Sequence, residues 1–199
     1  PSGYGRIITD SNNQVSKIIE ENDADEEVKK ITLCNSGVLA GKANDIFEYL
    51  NQVKLSDNGE YYLTDIVSIC VDLGSKVGYV ESLEEELIGI NDRTDQSEAE
   101  NIIQNKLIKK HLLNGVTLLN PSSVYFDATA EISEDVIIEP NVFIGSNVKI
   151  KSQTVIKAFS YLENCSVGEA CTIGPYARIR PETEIKNNVK IGNFVEVKK

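Results

Sequence analysis

The 199-residue chain has no methionine, no tryptophan and a single histidine. Its four cysteines, Cys34, Cys70, Cys165 and Cys171, form no Cys-x-x-Cys pair. A zinc site of ordinary spacing is thereby excluded, and no disulfide framework is suggested. No apolar run approaches the roughly 18 residues of a spanning helix, and the opening "PSGYGRIITD" lacks the basic-then-apolar form of a signal peptide. Positive charge is the scarcer sign, 20 basic against 31 acidic side chains for a net charge of -11. The field of the whole molecule therefore repels nucleic acid and anionic membranes, and any phosphate must be held locally. These absences predict a soluble cytoplasmic protein with no nucleic-acid or membrane partner. The apolar share, 41%, is enough for one or two domains with cores of their own.

The strongest signal is a six-residue period that begins at Phe126. Large apolar residues recur at Phe126, Ile132, Ile138, Ile144, Ile150, Ile156 and Leu162. After one five-residue step they resume at Val167 and continue through Ile173, Ile179, Ile185, Ile191 and Val197. Four residues after most of them stands a small or β-branched side chain, such as Ala130, Val136, Thr154, Cys171 or Ala177. A helix needs apolar spacings of three and four, and a meander needs turn signals every eight to twelve residues. Two inward positions in every six predict a parallel β-helix instead.

The first half reads differently. "YGRIIT" and "QVSKIIE" flank "DSNN" as a hairpin, and "KITLCNSGVLA" reads as a buried strand. "NDIFEYLNQV" and "TDIVSICVDLG" carry helical spacing, the second with Thr64 as N-cap and Gly74 as its stop. The mixture predicts an α/β domain. Residues 94–114 predict one connecting helix, with acids in its first turns, lysines in its last, and Ala99, Ile102, Ile103 and Leu107 as its apolar stripe. Asn91 or Asp92 would cap it, and His111 falls on its last turn, where a surface position is expected.

If three six-residue units make one coil, positions 18 apart are stacked about 4.8 Å from each other. Arg180 then lies over Lys198, each next to an inward aliphatic residue. Arg178 lies over Glu196 and Gly174 over Gly192. Like charges directly opposite are unfavourable unless an anion lies between them. The segment from Arg178 onward holds six basic and three acidic residues. Arg180 with Lys198 is thus the candidate clamp for a phosphate or carboxylate. In the first half, Asn35 within an apolar run must find a partner or serve a ligand.

Taken in order, "GYGRII", "IIEENDA", "CNSGV", "NGEYYLTDIV", "IGINDR", the hexapeptide repeats, "CTIGPYARIRP" and "IGNFVEVKK" resemble the bacterial bifunctional N-acetylglucosamine-1-phosphate uridylyltransferase and glucosamine-1-phosphate acetyltransferase family. The resemblance covers essentially the whole chain. It implies the C-terminal part of a Rossmann-like nucleotidyltransferase domain over 1–93, a connecting helix over 94–114, and over 115–199 the N-terminal part of a left-handed β-helix that assembles as a homotrimer. It implies that Gly5, Glu20, Asn35 and Asn91 contact UDP-N-acetylglucosamine and that Asn91 is also a Mg2+ ligand. Arg180 and Lys198 would hold the sugar phosphate, with acetyl-CoA and UTP as the other substrates. The family's glycine-rich loop and its histidine base have no counterpart between Pro1 and Lys199. The missing methionine and the ending "IGNFVEVKK" fit that expectation of a piece cut from a longer chain, carrying binding groups for both steps and no catalytic residue. Two other readings stay open: a different sugar-1-phosphate nucleotidyltransferase with a hexapeptide tail, and a non-catalytic assembly module from a split gene.

Overall fold

The computed structural model describes residues 3–56 and 59–199. It divides into two compact units, the first ending at Asn91 and the second beginning at Asp92.

In the first unit β1 (Arg6–Thr9) and β2 (Val15–Ile19) pair antiparallel. The Asp10 side chain sets their turn by accepting the N–H groups of Asn12 at 2.8 Å and Gln14 at 2.9 Å. These are the short-range bonds that make Asp a turn residue. Helices α1 (Ala43–Leu50) and α2 (Asp65–Asp72) supply the apolar partners, and Val15, Ile66 and Val67 form the buried centre. The segment around "KITLCNSGVLA" is not the expected strand. It touches β1 only through a bridge between Cys34 and Arg6, flanked by the Ile7 N–H to Leu33 carbonyl and Asn35 N–H to Gly5 carbonyl bonds. The reason is local: Asn35 Oδ1 accepts the Gly37 N–H at 3.2 Å, and Gly37 sits at φ +80°, so the chain turns away from the sheet. Thr64 precedes α2 but gives it no side-chain cap, because its hydroxyl donates to Glu20 Oε1 at 2.6 Å. Gly74 does stop the helix, at φ +83° with its N–H on the Val71 carbonyl. Among the described residues of this unit the one sheet is antiparallel, and no parallel Rossmann-like sheet is present.

Arg6 is the buried charge of this unit. Its side chain is 4% exposed, donates to the Tyr4 carbonyl and lies 2.8 Å from Glu21 Oε2. Removing one partner of a buried pair strands the other. Glu21→Ala is expected to lower unfolding free energy by about 2–3 kcal/mol, discounted for the partial exposure of Glu21, with Glu21→Gln losing less. Urea unfolding followed by tyrosine fluorescence measures it; a loss below about 0.5 kcal/mol would show that Arg6 does not depend on that carboxylate.

The second unit starts with α3 (Arg93–Leu113). Its cap is Asp92: Asp92 Oδ1 accepts from the Thr94 and Asp95 N–H groups at 2.7 and 3.0 Å, and Asp95 Oδ2 returns the bond to the Asp92 N–H at 3.3 Å. The inner stripe uses Leu107 and Ile108, whereas Ile103, expected inside, is 47% exposed. The one-residue difference arises because the solenoid end, not a second helix, chooses the face.

Fourteen two-residue strands follow: β3 (Thr117–Leu118), β4 (Tyr125–Phe126), β5 (Glu131–Ile132), β6 (Ile137–Ile138), β7 (Phe143–Ile144), β8 (Lys149–Ile150), β9 (Val155–Ile156), β10 (Tyr161–Leu162), β11 (Ser166–Val167), β12 (Thr172–Ile173), β13 (Arg178–Ile179), β14 (Glu184–Ile185), β15 (Lys190–Ile191) and β16 (Glu196–Val197). They stack as three parallel sheets, β3-β6-β9-β12-β15, β4-β7-β10-β13-β16 and β5-β8-β11-β14. This is the parallel β-solenoid that the period predicts. Each strand turns its second residue inward, and Phe126, Ile138, Ile144, Ile156, Leu162, Ile173 and Ile179 are fully buried. Between strands the chain turns through a left-handed residue, among them Asn141, Asn147, Phe159, Tyr176, Asn188 and Phe194. The residue after each is the second inward position, including Val142, Val148, Ser160 and Ala177.

The five-residue step removes one residue from the turn and none from a strand. Asn164 takes the left-handed place at φ 40°, and Cys165 becomes the inward residue that the four-residue rule would have put at Ser166. Burial pushes the Cys165 thiol up to about 11. Gln104 of α3 treats β4 as a neighbouring strand would: its amide donates to the Phe126 carbonyl at 2.8 Å and accepts the Phe126 N–H at 3.0 Å.

His111 is not on the surface. It is 1% exposed, and its ring lies 4.5 Å from that of Phe126, which the solenoid contributes. Neither ring nitrogen has a hydrogen-bond partner. Burial, and then the neighbouring Lys110 charge, lower its pKa below the ordinary 6.5. The folded chain therefore holds His111 neutral. No penalty exists well above pH 6.5; below it the unfolded chain takes up a proton that the folded chain refuses, so stability falls as pH falls. The urea midpoint of the solenoid is expected to drop between about pH 7.5 and 5.5, and His111→Phe to remove part of that drop. Equal slopes in the two proteins would exclude His111 as a source.

Candidate functional site

Two groups of residues follow from the sequence, one in each unit. In the solenoid, β13 and β16 pair with Arg178 opposite Glu196 and Ile179 opposite Val197, and the Arg180 N–H donates to the Val197 carbonyl at 3.0 Å. Arg180 and Lys198 are thus consecutive rungs at one strand end. The acids nearby are already engaged. Glu196 lies 3.8 Å from Arg178 and 3.5 Å from Arg180, Glu182 is paired with Lys199 at 2.9 Å, and Glu184 with Lys186. Among the described residues Lys198 has no ion-pair partner. Arg180 and Glu196 are both about half exposed, and such pairs are worth only about 0.2–1 kcal/mol. A phosphate offering Arg180 two acceptors and Lys198 a third would readily outcompete it.

Aromatic ladders flank this end. On the outer face Tyr125, Phe143 and Tyr161 stack at 4.7 and 4.5 Å between ring centres, and the Arg178 guanidinium closes the column 5.3 Å from the Tyr161 ring. At a corner, Phe159, Tyr176 and Phe194 stack at 5.0 and 4.9 Å. Arg178 is thus engaged by both the Tyr161 ring and Glu196, Arg180 shares Glu196, and Lys198 pairs with no acid among the described residues. The contact of Glu196 with Arg180 was not legible in sequence, because stacking by 18 assigns Glu196 to Arg178 alone.

In the first unit a cavity of about 290 Å³ is lined by Gly5, Glu20 and Asn35, together with Tyr4, Ser36 and Thr64. Three residues far apart in sequence converge because β1 and β2 bring Gly5 beside Glu20, and the bridge at Cys34 brings Asn35 to the Gly5 carbonyl at 2.8 Å. A side chain at position 5 would meet Ile18 at 3.1 Å and Glu20 at 3.2 Å, so glycine keeps the wall open. Thr64 orients Glu20, a role hidden in sequence by its resemblance to a helix cap. Asp65 beside it is pushed above the usual carboxylate range by burial, then by the charges of Glu20 and Asp23. Asn91 is exposed and does not line this cavity.

A magnesium ion tests poorly against these side chains. Among the described residues no group of three or more His, Cys, Asp or Glu could hold a metal, and Asn91 would offer one amide oxygen. Magnesium needs octahedral oxygen ligation, which waters and substrate phosphates ordinarily complete around one or two protein oxygens. The described residues therefore offer no self-contained cage, and no chemical step is assigned to the ion.

A parallel β-solenoid with two inward positions in every six residues is the architecture of the hexapeptide-repeat class. Residues 164–199 match the family described as "Bacterial transferase hexapeptide (six repeats)". The chain is a relative of the bifunctional GlmU proteins: that of Caldanaerobacter subterraneus subsp. tengcongensis is 44% identical over 142 residues, covering 70% of this chain and 31% of the relative. That of Streptococcus agalactiae serotype V is 38% identical over 143 residues, covering 71% and 31%. The resemblance drawn from the motifs is thus borne out over about 70% of the chain rather than over essentially all of it, and the chain spans about a third of the length of the relatives it matches. Among solved structures, the acetyltransferase domain of PglB from Neisseria gonorrhoeae FA1090 overlaps 59% of this chain and 66% of its own at 16% identity, with a TM-score of 0.23. No helix among the described residues is long and apolar enough to cross a membrane.

Proposed function

We propose that the chain is part of a bifunctional enzyme of UDP-N-acetylglucosamine synthesis. In this reading the solenoid serves acetyl transfer from acetyl-CoA to glucosamine-1-phosphate, and the first unit serves uridylyl transfer from UTP to N-acetylglucosamine-1-phosphate. Residues 1–93 are the C-terminal part of a Rossmann-like nucleotidyltransferase domain, 94–114 the connecting helix, and 115–199 the start of a left-handed β-helix that works as a cytoplasmic homotrimer. What carries the reading is Arg180 stacked on an unpaired Lys198 in a relative of bifunctional proteins.

In acetyl transfer the sugar amine forms a bond to the thioester carbonyl carbon, the carbon–sulfur bond breaks, and the amine proton ends on the departing thiolate. Arg180 and Lys198 touch only the acceptor's phosphate, so their contribution is to fix the amine's position and remove its rotational freedom. In uridylyl transfer the sugar phosphate oxygen attacks the α-phosphorus of UTP and pyrophosphate leaves. Gly5, Glu20 and Asn35 hold the nucleotide sugar from the cavity they share, with Asn91 as a further contact and the resemblance's candidate for Mg2+.

Calorimetric titration of the chain tests the reading. Glucosamine-1-phosphate is expected to bind and glucosamine, which lacks the phosphate, to bind about tenfold or more weakly. Glu20→Gln and Asn35→Ala should leave that binding unchanged while weakening binding of UDP-N-acetylglucosamine. Equal affinity for glucosamine with and without its phosphate would refute the clamp.

A further inference from the structure

A second cavity of about 290 Å³ lies in the solenoid unit where the end of α3 meets β5 and β8. Its walls include Lys110, His111, Asn114, Ser133, Lys149 and Lys151. Lys149 and Lys151 flank the inward Ile150 and so leave β8 on the same outward face, about 7 Å apart along the strand. Lys110 joins them from the last turn of α3. One carboxylate, Glu131, is in the wall, and it is paired with Lys149 at 3.0 Å. Lys110 and Lys151 thus share this wall without an ion-pair partner among the described residues, in a chain of net charge -11.

The end of a helix would ordinarily repel an anion. Here the last carbonyls are already occupied: those of Lys110 and His111 accept the Asn114 N–H at 3.1 and 3.2 Å, Leu112 accepts from Gly115 at 3.1 Å, and His111 also accepts from Val116 at 3.1 Å. What remains at the cavity is cationic and hydrogen-bonding, with the unpartnered ring of His111 in its wall.

We propose that this cavity is an anion site for a small phosphate-bearing ligand, held by Lys110 and Lys151 with Asn114 and Ser133 as neutral hydrogen-bond partners. It is separate from Arg180 and Lys198, which directly follow β13 and β16 of another sheet, and it does not rest on the function proposed above.

The one histidine of the chain is the reporter. Inorganic phosphate is titrated into the full chain at about pH 8, where imidazole is neutral, with chloride exchanged to keep ionic strength constant. A saturable shift of the His111 ring-proton resonance is expected, and the response should weaken about tenfold or more in the Lys110→Gln/Lys151→Gln variant. Arg180→Ala should leave it unchanged. A parallel titration with glycerol 1-phosphate separates sources: equal saturation assigns the site to free phosphate, and tighter saturation assigns it to a monoester. A linear drift that chloride alone reproduces, or the same curve in the double variant, would overturn the proposal. Both lysines are exposed, so the variant should fold; far-UV circular dichroism checks this, and Lys151→Gln alone gives the same reading if it does not.

Discussion

Alanine at Gly168 should cost the solenoid about 3 kcal/mol, the scale of an overpacked core with no room to relax. A Cβ there would stand 2.7 Å from both the backbone nitrogen of Asn187 and the carbonyl carbon of Lys186. Both are main-chain atoms of the next coil, held where they are by the Gly168 N–H to Ile185 carbonyl bond at 2.8 Å and the Glu169 N–H to Asn187 Oδ1 bond at 2.9 Å. No rotamer change can clear them, so two coils must move apart, and in a stacked repeat each coil depends on its neighbours. Gly192→Ala is the control: a Cβ there meets nothing within 4 Å, and the change should stay within about 0.5 kcal/mol. Denaturant unfolding of the two variants beside the parent decides the matter. Comparable midpoints for both would mean that the coil spacing at Gly168 is softer than its contacts require.

Removing both cations of the clamp should weaken glucosamine-1-phosphate binding by about 100-fold, on the order of a charge-assisted hydrogen bond for each residue. Arg180→Ala alone should lose the larger part, because a guanidinium grips two phosphate oxygens where an ammonium presents a point charge. Arg178→Ala is the informative comparison. It removes the same charge two residues away, from a side chain that lies against both Tyr161 and Glu196. Its loss should be several-fold at most and should shrink as salt is added, as expected of a long-range field. If Arg178→Ala and Arg180→Ala weaken binding equally, the site responds to net charge and not to geometry.

The solenoid was legible in sequence because its rule is nearly one-dimensional: in each six-residue unit a strand residue and a turn residue point inward, the first large and apolar, the second small or β-branched. Cys165 escaped the rule because the shortened turn puts the inward place three residues after Leu162 instead of four. His111 escaped for a different reason. Its burial depends on Phe126, a partner outside the helix, and helical spacing alone contains no information about what lies across from it. In the first unit the convergence of Gly5, Glu20 and Asn35 came only from the resemblance, since nothing in their spacing reveals that a hairpin and a single bridge bring them to one wall. Asn35 was marked as needing a partner, and half of that need is local, met by the Gly37 N–H.

The amide of Gln104, bonded to both backbone groups of Phe126, has a consequence for the chain's behaviour in crowded solution. A first rung left bare would be a template on which a strand of another molecule could pair. A primary amide offers one donor and one acceptor at the spacing of a peptide unit but has no continuation on its far side, so it terminates growth at that sheet with one side chain. Replacing it by a residue without those groups would open that edge to pairing with a foreign strand.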